Sequence, residues 1–111
     1  MISIKDIVEK IASSLQKLFV LVSPSLSSDT VYLAKRNIGN VLIAIYIDKI
    51  SAYLRAILDS QILTIRITRD GASAELCTIK DTFSLLIIHE FIIELIRKKA
   101  LKAKDLNTEF E

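Results

Sequence analysis

The stretch of residues 62–71 constrains the fold more than any other part of the chain. Apolar and polar side chains alternate along residues 62–69, which is the period of a β-strand. Asp70-Gly71 follows and is a strong signal for a two-residue hairpin turn. With that turn, apolar pairs share one face of the hairpin and an ion pair lies on the other. The predicted opposite pairs are Ile67 with Ala74, Ile65 with Leu76, and Arg66 with Glu75.

An earlier hairpin is predicted around Asn37-Ile38-Gly39-Asn40, which separates residues 31–36 from residues 41–47. The second of these segments is apolar on both faces, with β-branched Val41, Ile43 and Ile45 on one of them. A strand with two apolar faces lies at the centre of its sheet or at an interface. Val41, Ile43 and Ile45 are therefore candidate interface residues.

Three segments predict helices. Ser3 begins the first as a capping residue, with Asp6 three places later. Asp48 begins the second, whose apolar stripe at spacings of three and four is Ile50, Tyr53, Leu54 and Ile57. The third covers residues 83–104 and is apolar almost all round in its first half, so it must be covered on more than one side.

Together these segments predict an α+β fold of order α-β-β-α-β-β-α. The simplest architecture is an antiparallel sheet of two hairpins with the helices packed on one face. A chain of 111 residues is expected to form one domain, here residues 1–104. Residues 105–111 are expected to be a frayed tail.

The composition predicts an oligomer. Apolar residues make up 51% of the chain and the mean hydropathy is +0.44, more than one small globule can cover. We therefore expect a homo- or hetero-oligomer with a protein partner, whose interface adds Phe83, Ile87 and Phe91 of the last helix. The 19 isoleucines are typical of a thermophile with an AT-rich genome. An archaeal source is a separate expectation.

The residues that carry chemistry are too few for an enzyme. One histidine and one cysteine cannot supply the nitrogen and sulfur ligands of a zinc site, and no glycine-rich phosphate loop is present. We expect no catalysis and no cofactor, with His89 a core residue making one hydrogen bond. Glu90 and Glu94 are expected to pair with Arg97 and Lys98. No segment is apolar for long enough to span a membrane, and a cytoplasmic location follows from the lone cysteine and the absence of a signal peptide.

The net charge of +2 is lower than a dedicated nucleic-acid-binding protein carries. The cations near the C-terminus either keep an apolar protein soluble or make weak contacts with phosphates. In the second case the contacting residues near the C-terminus are Arg97, Lys98, Lys99 and Lys102. They are joined on the hairpins by Lys35, Arg36, Arg66 and Arg69.

The stretch that ends in Leu54-Arg55-Ala56-Ile57-Leu58-Asp59-Ser60 resembles the small dimerisation subunit of the KEOPS complex, which makes the threonylcarbamoyl modification of tRNA. The resemblance covers residues 7–60 and includes Pro24, the hairpin of residues 31–47 and Ser60. Asp59 stands where the family usually has Asn. The resemblance implies a non-catalytic dimerising or scaffold subunit. The implied docking residues are Ile50, Tyr53, Leu54, Arg55, Ile57 and Leu58.

Two alternatives remain open at this point. A dimeric winged-helix DNA-binding protein would have residues 28–36 and 41–60 helical, with residues 62–79 as the wing. Its recognition helix would offer almost nothing that hydrogen-bonds to bases, and a strand at 41–47 would exclude it. A small ligand carrier or enzyme is a third possibility, which only an apolar pocket would support.

Overall fold

The computed structural model describes residues 2–101 and 109–110. In chain order, a long helix is followed by five antiparallel strands and a second long helix. The strand order in the sheet is β5-β4-β3-β2-β1-β6. The two-residue β6 pairs parallel with β1. The elements are α1 (Ile4–Val22), a 3-10 turn (Ser23–Ser25), β1 (Tyr32–Ile38), β2 (Val41–Ile47), β3 (Ser51–Leu58), β4 (Gln61–Thr68), β5 (Gly71–Cys77), α2 (Thr82–Leu101) and β6 (Glu109–Phe110).

The α+β class and the antiparallel sheet between a first and a last helix are confirmed. The predicted middle helix is wrong, because residues 51–58 form strand β3, which pairs with β2 on one side and β4 on the other. The carboxylate of Asp48 caps no helix. It accepts hydrogen bonds from the N–H groups of Ile50 and Ser51, each 2.8 Å long, and closes the turn between β2 and β3.

The error has a physical cause. Ile50, Tyr53, Leu54 and Ile57 fit the helical period, but the same stretch also alternates at the period of a strand. A segment of about eight residues satisfies both patterns, and pairing with two neighbouring strands decided between them. The side chains that alternate inward are Ala52, Leu54, Ala56 and Leu58.

The last hairpin exists as predicted, but its register is wrong. It differs by two residues next to the turn, where Ile67 pairs with Ala72, and by one residue beyond a bulge. The loop is Arg69 and Asp70, since Thr68 pairs with Gly71. A bulge between Arg66 and Ile67 then shifts the ladder. The observed pairs beyond the bulge are Arg66 with Ala74, Ile65 with Glu75, Thr64 with Leu76 and Leu63 with Cys77. Glu75 consequently faces the helices, and Leu76 faces away from them.

The core lies between the sheet and the two helices. The amide of Asp6 donates to the hydroxyl of Ser3 at 3.1 Å, which confirms the predicted cap of α1. Asp81 caps α2 by accepting from the amide of Phe83 at 3.0 Å and the hydroxyl of Ser84 at 2.9 Å. The largest fully buried side chains include Ile7, Ile11, Leu15, Leu18, Ile43, Ile45, Ile47, Leu54, Leu63, Ile65 and Phe91.

Most of the segment predicted as a frayed tail, residues 105–108 and 111, lies outside the described residues. The backbone of Glu109 and Phe110 pairs with Ala34 and Lys35 of β1. These two residues form an added edge strand beside β1.

Candidate functional site

Both helices lie on one face of the sheet, and the opposite face has no covering layer in the described chain. α1 packs against β3, β4 and β5, while α2 reaches β1 through an ion pair between Arg36 and Glu94. We call the uncovered surface the open face. None of its side chains is fully buried. It is formed by Leu33, Lys35, Asn37, Leu42, Ala44, Tyr46, Ser51, Tyr53, Arg55, Ile57, Ile62, Thr64, Arg66, Thr68, Ala74 and Leu76.

Aromatic rings and cations gather on one part of the open face. Tyr46 and Tyr53 are cross-strand partners on β2 and β3, with ring centroids 6.3 Å apart and an interplanar angle of 43°. The guanidinium of Arg66, which pairs with Tyr53 from β4, lies 5.9 Å from the Tyr53 ring centroid. Lys35 and Arg55 share a second cross-strand row with Ala44 between them, so their Cα atoms are about 10 Å apart.

This part of the face has a single sign of charge. No Asp or Glu occurs among the outward residues of β1–β5. The nearest carboxylate along β2, that of Asp48, lies in the following turn and is occupied by backbone amides. Within the described side chains, Lys35, Arg55 and Arg66 form no ion pair. Their positive potential is therefore directed into solvent.

The predicted docking residues on β3 do not share one surface, because side chains of a strand point alternately to the two faces of the sheet. Tyr53, Arg55 and Ile57 point outward and belong to the open face. Leu54 and Leu58 point inward and are core residues, so the expectation that they bind a partner is corrected. Ile50 lies in the turn before β3 and is 69% exposed.

The residues of the predicted oligomer interface also lie in different places, some in the core and some on the outer side of α2. Val41, Ile43 and Ile45 are buried between β2 and the helices of the same chain, so the second apolar face of β2 is the one that remains uncovered. Phe91 is a core residue as well. Phe83 is 69% exposed and lies with Ile87 on the outer side of α2. They line a groove of about 490 Å³ together with Ile38, Leu86, Glu90, Phe91, Glu94 and Arg97.

The cations predicted to contact phosphates do not form one surface. Lys35 is on the open face, whereas Arg36 points to the helices. Its guanidinium donates to Glu94 at 2.8 Å and lies 4.7 Å from the Phe91 ring centroid. This hydrogen bond is the main reason that the pKa of the Glu94 carboxyl lies below its usual value. Arg36 is the direct partner of Glu94, and the expected partners Lys98 and Arg97 also lower its pKa through weaker coulombic interactions.

The cations of α2 point in different directions. Arg97 and Lys98 are exposed. Lys99 is only 3% exposed, and its ammonium lies 4.9 Å from the ring centroid of Tyr32 in a cation–π contact. Lys102 is outside the described residues.

The lone histidine and cysteine have structural positions. His89 Nε2 lies 3.1 Å from the hydroxyl oxygen of Ser14, which joins α2 to α1 and confirms the single hydrogen bond expected for this residue. The Cys77 thiol donates to the carbonyl of Ile79 at 3.5 Å. In residues 2–101, no three side chains of His, Cys, Asp or Glu converge in a way that would hold a metal ion.

Sequence reasoning missed the open face as a unit. The sequence indicates Tyr46 only as part of an apolar strand, and it indicates Arg66 as the partner of Glu75 or of phosphates. The alternation of residues 51–58, once read as a strand, would have aligned Tyr46, Tyr53 and Arg66 in one row. The pattern was therefore present but was hidden by the helical interpretation of its central strand.

The strand conformation of Val41–Ile47 removes the recognition helix that a winged-helix protein needs. Leu54-Arg55-Ala56, which carries the resemblance to the KEOPS subunit, lies in β3 and presents only Arg55 to solvent. No protein-family model, curated protein or solved structure matches the chain. Neither described helix has a stretch long and apolar enough to cross a membrane.

Proposed function

We propose that the protein is a non-catalytic binding subunit and that the open face of its sheet is the surface that binds its partner. The carrying observation is the arrangement of Lys35, Arg55 and Arg66 around two tyrosines on an uncovered sheet, with no outward carboxylate. Charged and aromatic groups that converge on one uncovered surface are typical of recognition sites.

The apolar part of the open face supports this proposal. Leu42, Ile57 and Ile62 form a third cross-strand row, next to the rows that carry the cations. The solvated face of an antiparallel sheet is normally polar, and contiguous uncovered apolar side chains are typical of an interaction site. The row therefore extends the binding surface beyond the charged residues.

The charges favour an anionic partner over a second copy on this face. Two open faces brought together would place Lys35, Arg55 and Arg66 near the same cations of the other copy, without a carboxylate among the outward residues to offset them. Like charges in close contact are unfavourable at an interface. Self-association, if the chain dimerises as its composition predicts, would then use another surface such as the outer side of α2.

Membership of a tRNA-modification complex is a prediction from the resemblance. It is compatible with an anionic ligand on the open face, and β3 would take the place of the docking helix that the resemblance implies. The proposal of a binding subunit does not depend on this membership, since it rests on the composition of the face.

A charge-reversal pair tests the proposal. Arg55→Glu with Arg66→Glu changes the open face, and Lys10→Glu with Lys17→Glu is the matched control on exposed positions of α1. Each pair is expressed at the natural level in the native host, and the size of the particle is measured by sedimentation. We expect the wild type and the control variant to sediment at the same rate, as parts of a larger particle. The open-face variant should sediment more slowly, because it no longer binds the partner. Co-sedimentation of the open-face variant with the wild type would refute the proposal.

A further inference from the structure

We infer that the partner of the open face is a single-stranded nucleic acid, whose bases stack on Tyr46 and Tyr53 and whose phosphates contact Lys35, Arg55 and Arg66. This inference rests on the proposed function and names the chemical class of the ligand for the same surface. Base stacking on aromatic side chains, combined with a positively charged surface that follows the backbone, is the common means of binding single strands.

The two rings form the stacking platform. They lie side by side on the adjacent strands β2 and β3, with centroids 6.3 Å apart. Tyr46 is 43% exposed, so its ring is accessible on the sheet surface near the β2–β3 turn. The rings are inclined to each other by 43° and are not stacked face to face, which leaves ring surface for a base. Rigid aromatic groups on a sheet lose little conformational entropy on binding.

The cations surround this platform. Arg66 lies beside Tyr53 across the β3–β4 ladder, and Arg55 is the next outward residue along β3. Lys35 lies on β1, across β2 from Arg55. From the spacings of a sheet, each of the three Cα atoms is within about 12 Å of the Tyr53 Cα atom. A strand that crosses the tyrosines therefore passes within reach of all three long side chains.

The shape of the surface does not fit the major groove of a DNA duplex. The major groove of DNA is about 12 Å wide and admits a helix or a two-stranded ribbon. A face that extends over five strands is about 19 Å across at the strand spacing and does not enter it. The tyrosines need unpaired bases, which loops and single strands provide.

Binding is measured with the purified full chain by fluorescence anisotropy on labelled six-nucleotide U and A oligomers, as RNA and as DNA, between 50 and 200 mM salt. We expect log Kd to rise with log salt with a slope of about 2 for three phosphate contacts. Arg55→Ala should lower that slope by about 0.7. The RNA and DNA arms show whether the 2′-hydroxyl contributes.

Tyrosine variants separate stacking from simple charge attraction. Tyr46→Ala or Tyr53→Ala should weaken binding by about five-fold to 150-fold, since stacking on an aromatic side chain contributes about 1–3 kcal/mol per base. Tyr46→Phe and Tyr53→Phe keep the ring and should bind within about two-fold of the wild type. Lys10→Ala and Lys17→Ala on α1 are the charge controls and should not change the affinity. Thermal unfolding of each variant verifies that it is folded.

Three results would overturn the inference. The first is no binding at millimolar protein, and the second is equal binding by the wild type and the tyrosine-to-alanine variants. The third is competition by poly-glutamate as effective as by the oligomers, which would identify an acidic protein partner. A last comparison uses the larger particle that the wild type forms in the native host. If the Arg55→Glu, Arg66→Glu variant does not enter this particle, and the wild-type particle resists nuclease, the open face binds a partner that is not a nucleic acid. If the pair keeps the particle, the proposed function itself has failed.

Discussion

Truncation of Leu54 distinguishes between two conformations of residues 51–58, the observed strand and the helix that periodicity predicts. In a helix, Leu54 and Ile57 would lie on one face, because residues three apart are neighbours there. In β3 they lie on opposite faces, with Leu54 fully buried between Ile45 and Ile65 and Ile57 on the open face. Leu54→Ala and Ile57→Ala should therefore differ strongly in their effect on stability.

The loss of unfolding free energy expected for Leu54→Ala follows from the surroundings of Leu54. Its neighbours across the ladder belong to hydrogen-bonded strands under the helices, so they cannot collapse into the space left by the side chain. Leu→Ala substitutions at such sites cost about 2.7–5.0 kcal/mol, and we expect about 3–4 kcal/mol here. Ile57→Ala removes a partly buried side chain from the open face and should cost about 1–2 kcal/mol.

Urea denaturation followed by circular dichroism measures the change in unfolding free energy for both variants. For a small domain, a loss of 3–4 kcal/mol lowers Tm by about 12–20 °C, and it is a large share of the stability of about 5–15 kcal/mol that is typical of natural proteins. Arg55→Ala, on the same strand and exposed, is the control and should be within about 0.5 kcal/mol of the wild type. Equal losses from Leu54→Ala and Ile57→Ala would show that residues 51–58 are not a strand covered on one face.

Two further changes test the other surfaces. Glu94→Gln should weaken the folded state by no more than about 1 kcal/mol at neutral pH, because the Glu94 side chain is 46% exposed. Since the folded pKa of Glu94 lies below the unfolded value of 4.5, this contribution is present above pH 4.5 and is lost as the pH falls through the folded pKa; a variant whose acid unfolding below pH 4.5 matches the wild type would contradict it. Phe83→Ser removes the most exposed aromatic ring of α2 and should convert an oligomer into smaller species in light scattering with little change in unfolding free energy. An unchanged oligomer would show that the outer side of α2 is not the interface.

The helices were predictable from local signals. Ser3 followed by a stripe with helical spacing marks α1, and Asp81 followed by an apolar run marks α2. Both need only interactions between residues close in sequence, such as caps and i to i+4 contacts. The turn at Asn37-Ile38-Gly39-Asn40 is similarly local, with Gly39 at a positive φ of 58°.

The candidate site was predictable only in part. Tyr53, Arg55, Ile57 and Lys35 were singled out from the sequence, and all four lie on the open face. Arg66 is indicated only as a phosphate contact or as the partner of Glu75. Tyr46 is not indicated, because its place in the site depends on which strands pair and in which register. The loop at Arg69 and Asp70 and the bulge between Arg66 and Ile67 together place Ala74 opposite Arg66 and turn Glu75 to the other face. No local signal in the sequence gives the position of that bulge.

The sequence by itself determined the alternation of apolar residues, the caps of α1 and α2 and the turn at Asn37-Ile38-Gly39-Asn40, since each depends on residues near one another along the chain. Tertiary structure decided that residues 51–58 are a strand and which face of the sheet the helices cover. A stretch of eight residues fits either period, and the hydrogen bonds that select one of them come from β2 and β4. The rows of the open face exist only after those ladders have formed.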